Sequence, residues 1–145
     1  MRRVAIIGGG PAGLMAAEVL AAAQGGFPNA TTRDTTAGPT VDPLEVVIFD
    51  AMPSVGRKFL IAGKGGMNIT HSEALSDFKR RYGDRETQLS PLLDAFGPAQ
   101  LRSWIHELGI ETFVGTSGRV FPTEMKAAPL LRAWLHRLRT QSVHF

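Results

Sequence analysis

Apolar positions change their spacing several times along the chain, and each change marks an element. Val4-Ala5-Ile6-Ile7 is a short unbroken apolar run, the pattern of a buried parallel strand when a helix follows it. Leu14 to Ala23 is rich in Ala, Leu and Met and free of proline, which predicts a helix. Glu45-Val46-Val47-Ile48-Phe49-Asp50 predicts a second strand ending on a carboxylate. Residues 25–45 are rich in Gly, Pro, Thr and Asp and have no periodic apolar face. They read as an exposed loop insertion between that helix and that strand.

The second half is more broken. Ser76 to Gln88 is polar and charged, and reads as a short helix with a loop. Pro91 opens a helical region that Gly97-Pro98 interrupts. Pro98 suits the first turn of the next helix, and Gly109 its C-terminal cap. Leu101, Trp104, Ile105 and Leu108 recur at spacings of three and four, which is a packing face, and His106 lies beside it at the surface. Thr112–Val114 and Arg119–Phe121 read as a small hairpin around Gly115 to Gly118, an excursion outside the parallel sheet. Glu124 to Arg139 predicts a last helix with Leu130, Leu131, Trp134, Leu135 and Leu138 on its apolar face. Val143-His144-Phe145 reads as the start of a further strand.

The order strand, helix, strand sets the class as α/β, and the turn inside it carries candidate chemistry. Gly8, Gly10 and Gly13 have the spacing G-x-G-x-x-G. Gly8 allows the tight turn out of the strand, Gly10 lets backbone approach a pyrophosphate, and Gly13 lets the helix pack close to the sheet. The helix N-terminus adds free N–H groups and a positive dipole end. Asp50, at the end of the second strand, suits the ribose hydroxyls. It falls 37 positions after Gly13, against about 20 in the usual pattern, and the loop insertion accounts for the excess. Arg57 and Lys58 put two cations just beyond. Gly63-Lys64-Gly65-Gly66, followed by Asn68, Thr70 and His71, reads as a donor-rich loop able to form an anion nest. At this level the dinucleotide is open between FAD and NAD, and His71 is open between proton transfer and capping a turn.

Composition narrows the setting. The chain has 145 residues, 43% of them hydrophobic, enough for one sizeable core. It has no cysteine, which excludes disulfides and thiolate metal sites. The four histidines lack metal-ligand spacing. Sixteen Lys and Arg against thirteen Asp and Glu give a formal charge of +3. That suits an anionic cofactor and neither indicates nor excludes nucleic acid. No stretch approaches a membrane span and no secretory segment is evident, so a cytoplasmic protein is expected.

Three longer segments carry a resemblance. GGGPAG, GRKFLIAGKGGMNITHSE and GRVFPTEMKAAPLLRAWL resemble the bacterial NAD(P)/FAD-dependent oxidoreductases of the HI0933-like or BaiN-like family. The likeness is greatest to a subgroup with A-G-K-G-G-x-N-x-T-H-S-E. The wider family pattern has Ser, Arg and Cys where this chain has Ala62, Gly66 and Met67, and Asn where it has His71. The resemblance implies a Rossmann-like FAD-binding fold. It implies that Gly8, Gly10, Pro11, Ala12 and Gly13 surround the FAD pyrophosphate and that Asp50 holds the adenosine ribose. Arg57 and Lys58 would contact the diphosphate or ribose region. Gly63, Gly65, Gly66, Asn68 and Thr70 would approach the flavin half. It further implies a flavin-dependent oxidoreductase, with NADH or NADPH as electron donor and reduction of a conjugated C=C bond as one reaction class. Its catalytic residues and substrate are unassigned, and no cysteine acid or nucleophile is present. Complete members are longer and carry an additional domain, so residues 1–145 are expected to be the N-terminal part of the FAD/NAD(P)-binding domain, inactive alone. The alternatives are an NAD-binding module and a catalytically inactive structural fragment.

Overall fold

The computed structural model describes residues 2–25 and 43–145. Most of the proposed 25–45 loop therefore lies outside the described residues. At its margins, Gly25 belongs to the first helix, and Leu44 and Glu45 belong to the second strand. The chain divides into two units, residues 1–59 with 134–145 and residues 60–133.

The first unit is built on β1 (Arg2–Ile7), α1 (Pro11–Gly25) and β2 (Leu44–Phe49). β1 and β2 pair in parallel, with Ala5 opposite Val47. Proline at the first position of α1 has no N–H to lose there and a backbone angle already suited to a helix, which is why α1 starts at Pro11 rather than Leu14. α1 packs on β1 and β2. Its Leu14, Ala17 and Ala21 are buried, as are Val46 and Ile48 of β2. The expectation that β1 is buried is only partly met. Ala5 and Ile7 are exposed, Ile7 at 83%, while Val4 and Ile6 are half-buried.

The expected last strand is present as one bridge. His144 donates its N–H to the Val46 carbonyl at 3.0 Å, and its carbonyl accepts the Ile48 N–H at 2.8 Å. The bridge pairs His144 with Val47 in parallel, on the edge of β2 away from β1. The His144 bridge, β2 and β1 thus lie side by side, the arrangement of the first three strands of a Rossmann fold. The architecture is α/β and Rossmann-like, as the sequence predicts.

The second unit takes α2 (Arg57–Ala62) from Leu60 onward, then β3 (Thr70–His71), α3 (Leu75–Arg80), a 3-10 turn (Gly83–Arg85), α4 (Glu86–Ala95), α5 (Pro98–Glu107), β4 (Thr112–Val114) and β5 (Arg119–Pro122). Helix α6 (Ala127–Thr140) begins in this unit and ends in the first. The hairpin β4–β5 forms around Gly115 to Gly118 as expected. It gains an unforeseen partner, because β3 pairs antiparallel with β5.

Three further boundaries differ from expectation. α4 starts at Glu86, so Pro91 lies inside it. Pro91 and Thr87 are both exposed, so water can reach the Thr87 carbonyl that loses its donor. α6 starts at Ala127, not Glu124, because Met125 has φ 59° and a left-handed residue cannot sit in a right-handed helix. Ser76 to Gln88 is more helical than expected, spanning most of α3, the 3-10 turn and the start of α4. Gly109, with φ +78°, caps α5 as read: its N–H donates to His106 and that of Ile110 to Ile105. On α5, Ile105 is buried and Leu101, Trp104 and Leu108 are half-buried, while His106 is exposed. Among the described residues no helix is long and apolar enough to cross a membrane.

One buried polar contact was not foreseen. Glu18 of α1 is 7% exposed. It accepts the Trp134 indole N–H and, at 3.0 Å, a guanidinium N–H of Arg137. Trp134 also meets Phe59 edge-on at 6.3 Å. The pair ties the end of α6 to α1 inside the first unit. Glu18→Ala removes this acceptor from both partners and is expected to destabilise the chain by about 1–3 kcal/mol. Urea unfolding followed by tryptophan fluorescence measures the difference, and a change below about 0.5 kcal/mol, as at an ordinary surface site, would contradict it.

Candidate dinucleotide site

The turn after β1 owes its shape to the absence of side chains. Gly8 has φ +104° and donates its N–H to the Phe49 carbonyl at 2.7 Å, so the chain leaves the sheet still tied to β2. A Cβ on Gly13 would stand 2.0 Å from the Gly8 carbonyl oxygen, so only glycine lets α1 approach the turn this closely. A Cβ on Gly10 would meet nothing within 4 Å, so its backbone faces open space. The Leu14 N–H donates to the Gly10 carbonyl at 2.9 Å, which begins the helical ladder. Ala12 and Gly13 sit in the first turn, where a helix has no internal acceptor for its N–H groups.

Gly9, the variable position of the pattern, is the residue that sequence reasoning missed. It is buried. Its N–H donates to Oδ2 of Asp50 at 2.7 Å, and its carbonyl accepts the Gly56 N–H at 2.8 Å. A Cβ there would meet Cγ1 of Val55 at 2.3 Å. The available signal was the run of three glycines, one more than the spacing requires.

Asp50 follows β2 directly and is exposed. Its Oδ1 accepts the Met52 N–H at 2.8 Å, closing an Asx turn. The Met52 N–H, and after it the Gly9 N–H, hold the carboxyl below the ordinary aspartate range, against a smaller opposing effect of desolvation. Gly9, Gly10, Pro11, Asp50, Arg57 and Lys58 line one cleft of about 290 Å³. Asp50 also borders a cleft of about 210 Å³ with Ile48, Val55, Arg139 and Phe145, where the Arg139 guanidinium lies 5.4 Å from the Phe145 ring centre. The predicted residues Gly10, Pro11, Asp50, Arg57 and Lys58 therefore meet around one concavity, whereas Gly8, Ala12 and Gly13 are not among its lining residues.

The remaining predicted residues belong to the second unit. Gly63 is buried, and a Cβ there would lie 2.5 Å from that of Ala127, so it serves close packing on α6. Gly66 has φ +118°. Of the loop's N–H groups, Gly66 donates to Gly63, Asn68 to Gly66 and Met67 to Met125, so these are used internally. Gly65 and Asn68 are exposed, and Thr70 is buried in β3 opposite Val120. His71 spans two turns. Its Nδ1 accepts the Glu73 N–H at 3.2 Å, which leaves Nε2–H to donate to the Ser117 carbonyl at 3.0 Å. Gly118 runs beneath the ring, where a Cβ would approach within 2.6 Å. This is the turn-capping geometry. Glu73 is held low by its paired hydrogen bonds to Arg81. Arg119 is exposed opposite His71. Among the described residues no cluster could hold a metal ion.

Comparison with known proteins places the chain in a family. The family model described as the HI0933-like protein Rossmann domain matches residues 36–145. The chain belongs to this family. Membership gives it the fold of a FAD-binding oxidoreductase. The matched span holds Asp50, Arg57, Lys58 and Gly63 to Thr70, and starts beyond the glycine turn. A second likeness covers that turn too. The chain is 28% identical over 143 residues to a 3-dehydro-bile acid delta(4,6)-reductase of Clostridium scindens, across 99% of this chain. The chain spans about 30% of that relative's length.

Two outcomes test the site. Gly13→Ala should weaken both the fold and adenine-nucleotide binding, whereas Gly10→Ala, with room for a methyl, should leave thermal stability nearly unchanged. Melting temperatures of the two variants compare them directly, and equal losses would contradict the reading. Asp50 is held low in the folded chain, so its contribution to stability is complete above the unfolded aspartate value. That contribution is lost as pH falls from about 4 through the lowered folded value. A carbon-13 titration of the Asp50 carboxyl should give a midpoint below that of a model aspartate, and a midpoint above it would refute the two backbone bonds.

Proposed function

We propose that the chain is the FAD-binding portion of a flavin-dependent oxidoreductase. The observation that carries this reading is the cleft in which the open backbone of Gly10, the start of α1, the Asp50 carboxylate and two cations converge. Each part suits one part of the dinucleotide. The first-turn N–H groups of Ala12 and Gly13 would receive the pyrophosphate, with the positive end of the α1 dipole behind them. Arg57 would meet a phosphate oxygen as a planar fork and Lys58 as a point charge. Asp50 keeps acceptor capacity on both carboxylate oxygens after its two backbone bonds, and this capacity would take the adenosine ribose hydroxyls.

Family membership favours FAD over NAD in this cleft. When bound, a flavin supplies transfer of a hydride or of electrons between a donor and an acceptor. This chain's contribution is to bind and orient the dinucleotide end. Gly63, Gly65, Gly66, Asn68 and Thr70 are the residues we propose for the flavin half, on the strength of the family motif. NADH or NADPH is the proposed electron donor. The name of the Clostridium scindens relative supports reduction of a conjugated carbon–carbon double bond as the reaction class, and no residue of this chain is assigned as its acid or base.

The test is the identity of the ligand. Protein expressed in a host that makes both cofactors should carry or take up FAD in preference to NAD. Extraction followed by chromatography and mass spectrometry identifies it. Tight NAD binding with rejection of FAD would replace this reading with that of an NAD-binding module, and binding of neither would leave a structural fragment.

A further inference from the structure

We infer that Asp50 is a positioning residue that sets the glycine turn in its binding shape before any ligand arrives, beyond the ribose contact proposed above. The inference rests on the dinucleotide reading of the cleft. A run of three glycines has no side chains with which to hold itself, and glycine loses more freedom on ordering than any other residue. The order must therefore come from outside the run. It comes from the segment after β2. Oδ2 of Asp50 takes the Gly9 N–H at 2.7 Å, and the Gly56 N–H takes the Gly9 carbonyl at 2.8 Å. Both polar groups of the middle glycine are thus fixed from one loop.

The carboxylate is itself held. The Met52 N–H on Oδ1, at 2.8 Å, leaves it little freedom to rotate away from Gly9. Val55 packs so close to Gly9 that no side chain could intervene. With Gly9 fixed, Gly8 and Gly10 are fixed on either side, and Gly10 presents its open backbone to the cleft. A turn ordered in advance spares the ligand the cost of ordering it. Arg57 and Lys58 line the same cleft, and Arg139 the neighbouring one. These cations would attract an anionic ligand without shaping the turn.

A ribose-only role and a positioning role differ for a nucleotide that has no ribose hydroxyls. ADP and 2′,3′-dideoxy-ADP are titrated by calorimetry into the 145-residue chain and into Asp50→Asn. Asparagine directs an N–H group at one of the two backbone donors, so one bond is lost. The positioning role is supported if the variant loses about tenfold in affinity for dideoxy-ADP as well as for ADP, the scale of one charge-assisted hydrogen bond. Equal dideoxy-ADP affinity in chain and variant, with loss confined to ADP, overturns it. If the unaltered chain binds neither nucleotide, the dinucleotide reading fails, and the inference falls with it. A measurement on the unaltered, ligand-free chain covers a variant that does not fold. The Gly9 amide should exchange hydrogen at least about tenfold slower than an unprotected amide, and exchange at the unprotected rate overturns the inference by itself.

Discussion

The first unit depends on how closely α1 can approach the end of β1. At Gly13 a single added carbon would stand 2.0 Å from the Gly8 carbonyl oxygen, well inside any tolerable contact. The absence of that carbon lets the helix start against the turn and lets Leu14, Ala17 and Ala21 pack in the core. Had the helix stood farther off, the buried face of β2 would lack its cover.

The two glycine-rich loops use the same residue for different ends. In the first, glycine clears a way for the backbone to an open cleft. In the second, Gly63 yields room to Ala127, and several N–H groups are spent inside the loop. The position where the wider family pattern has arginine is Gly66 at φ +118°, a conformation that arginine rarely adopts. Met67 is buried, and its N–H is held by the carbonyl of Met125, another left-handed residue.

Features encoded by local spacing were legible in the sequence. β1, α1, β2, the hairpin and the cap at Gly109 each follow from a few neighbouring residues. Asp50 could be placed because it ends a clear apolar run. What escaped depends on partners far along the chain. Gly9 acts through Asp50, 41 positions away, and the pattern treats its position as free. Glu18 looks like an ordinary polar residue of a helix until Trp134, 116 positions on, is brought to it. β3 is two residues long, too short to show any period. The true start of α6 rests on one left-handed methionine, a conformation that no composition rule assigns to that residue. The helix around Pro91 was underestimated because proline breaks a helix by rule, and the exposure that tolerates it is a tertiary fact.

The bridge at His144 carries a consequence for how the chain is made. The first unit is discontinuous: β1, α1 and β2 are synthesised early, but the strand neighbour on the far edge of β2 and the helical end that receives Glu18 come only after residue 133. The second unit is one unbroken stretch, residues 60–133. At a synthesis rate of roughly 5–20 residues per second, the opening strand–helix–strand segment waits several seconds for its closing pieces. During that interval one edge of β2 offers unpaired backbone. Completion of the first unit is therefore a late event on the ribosome, and the continuous unit has the earlier opportunity to form.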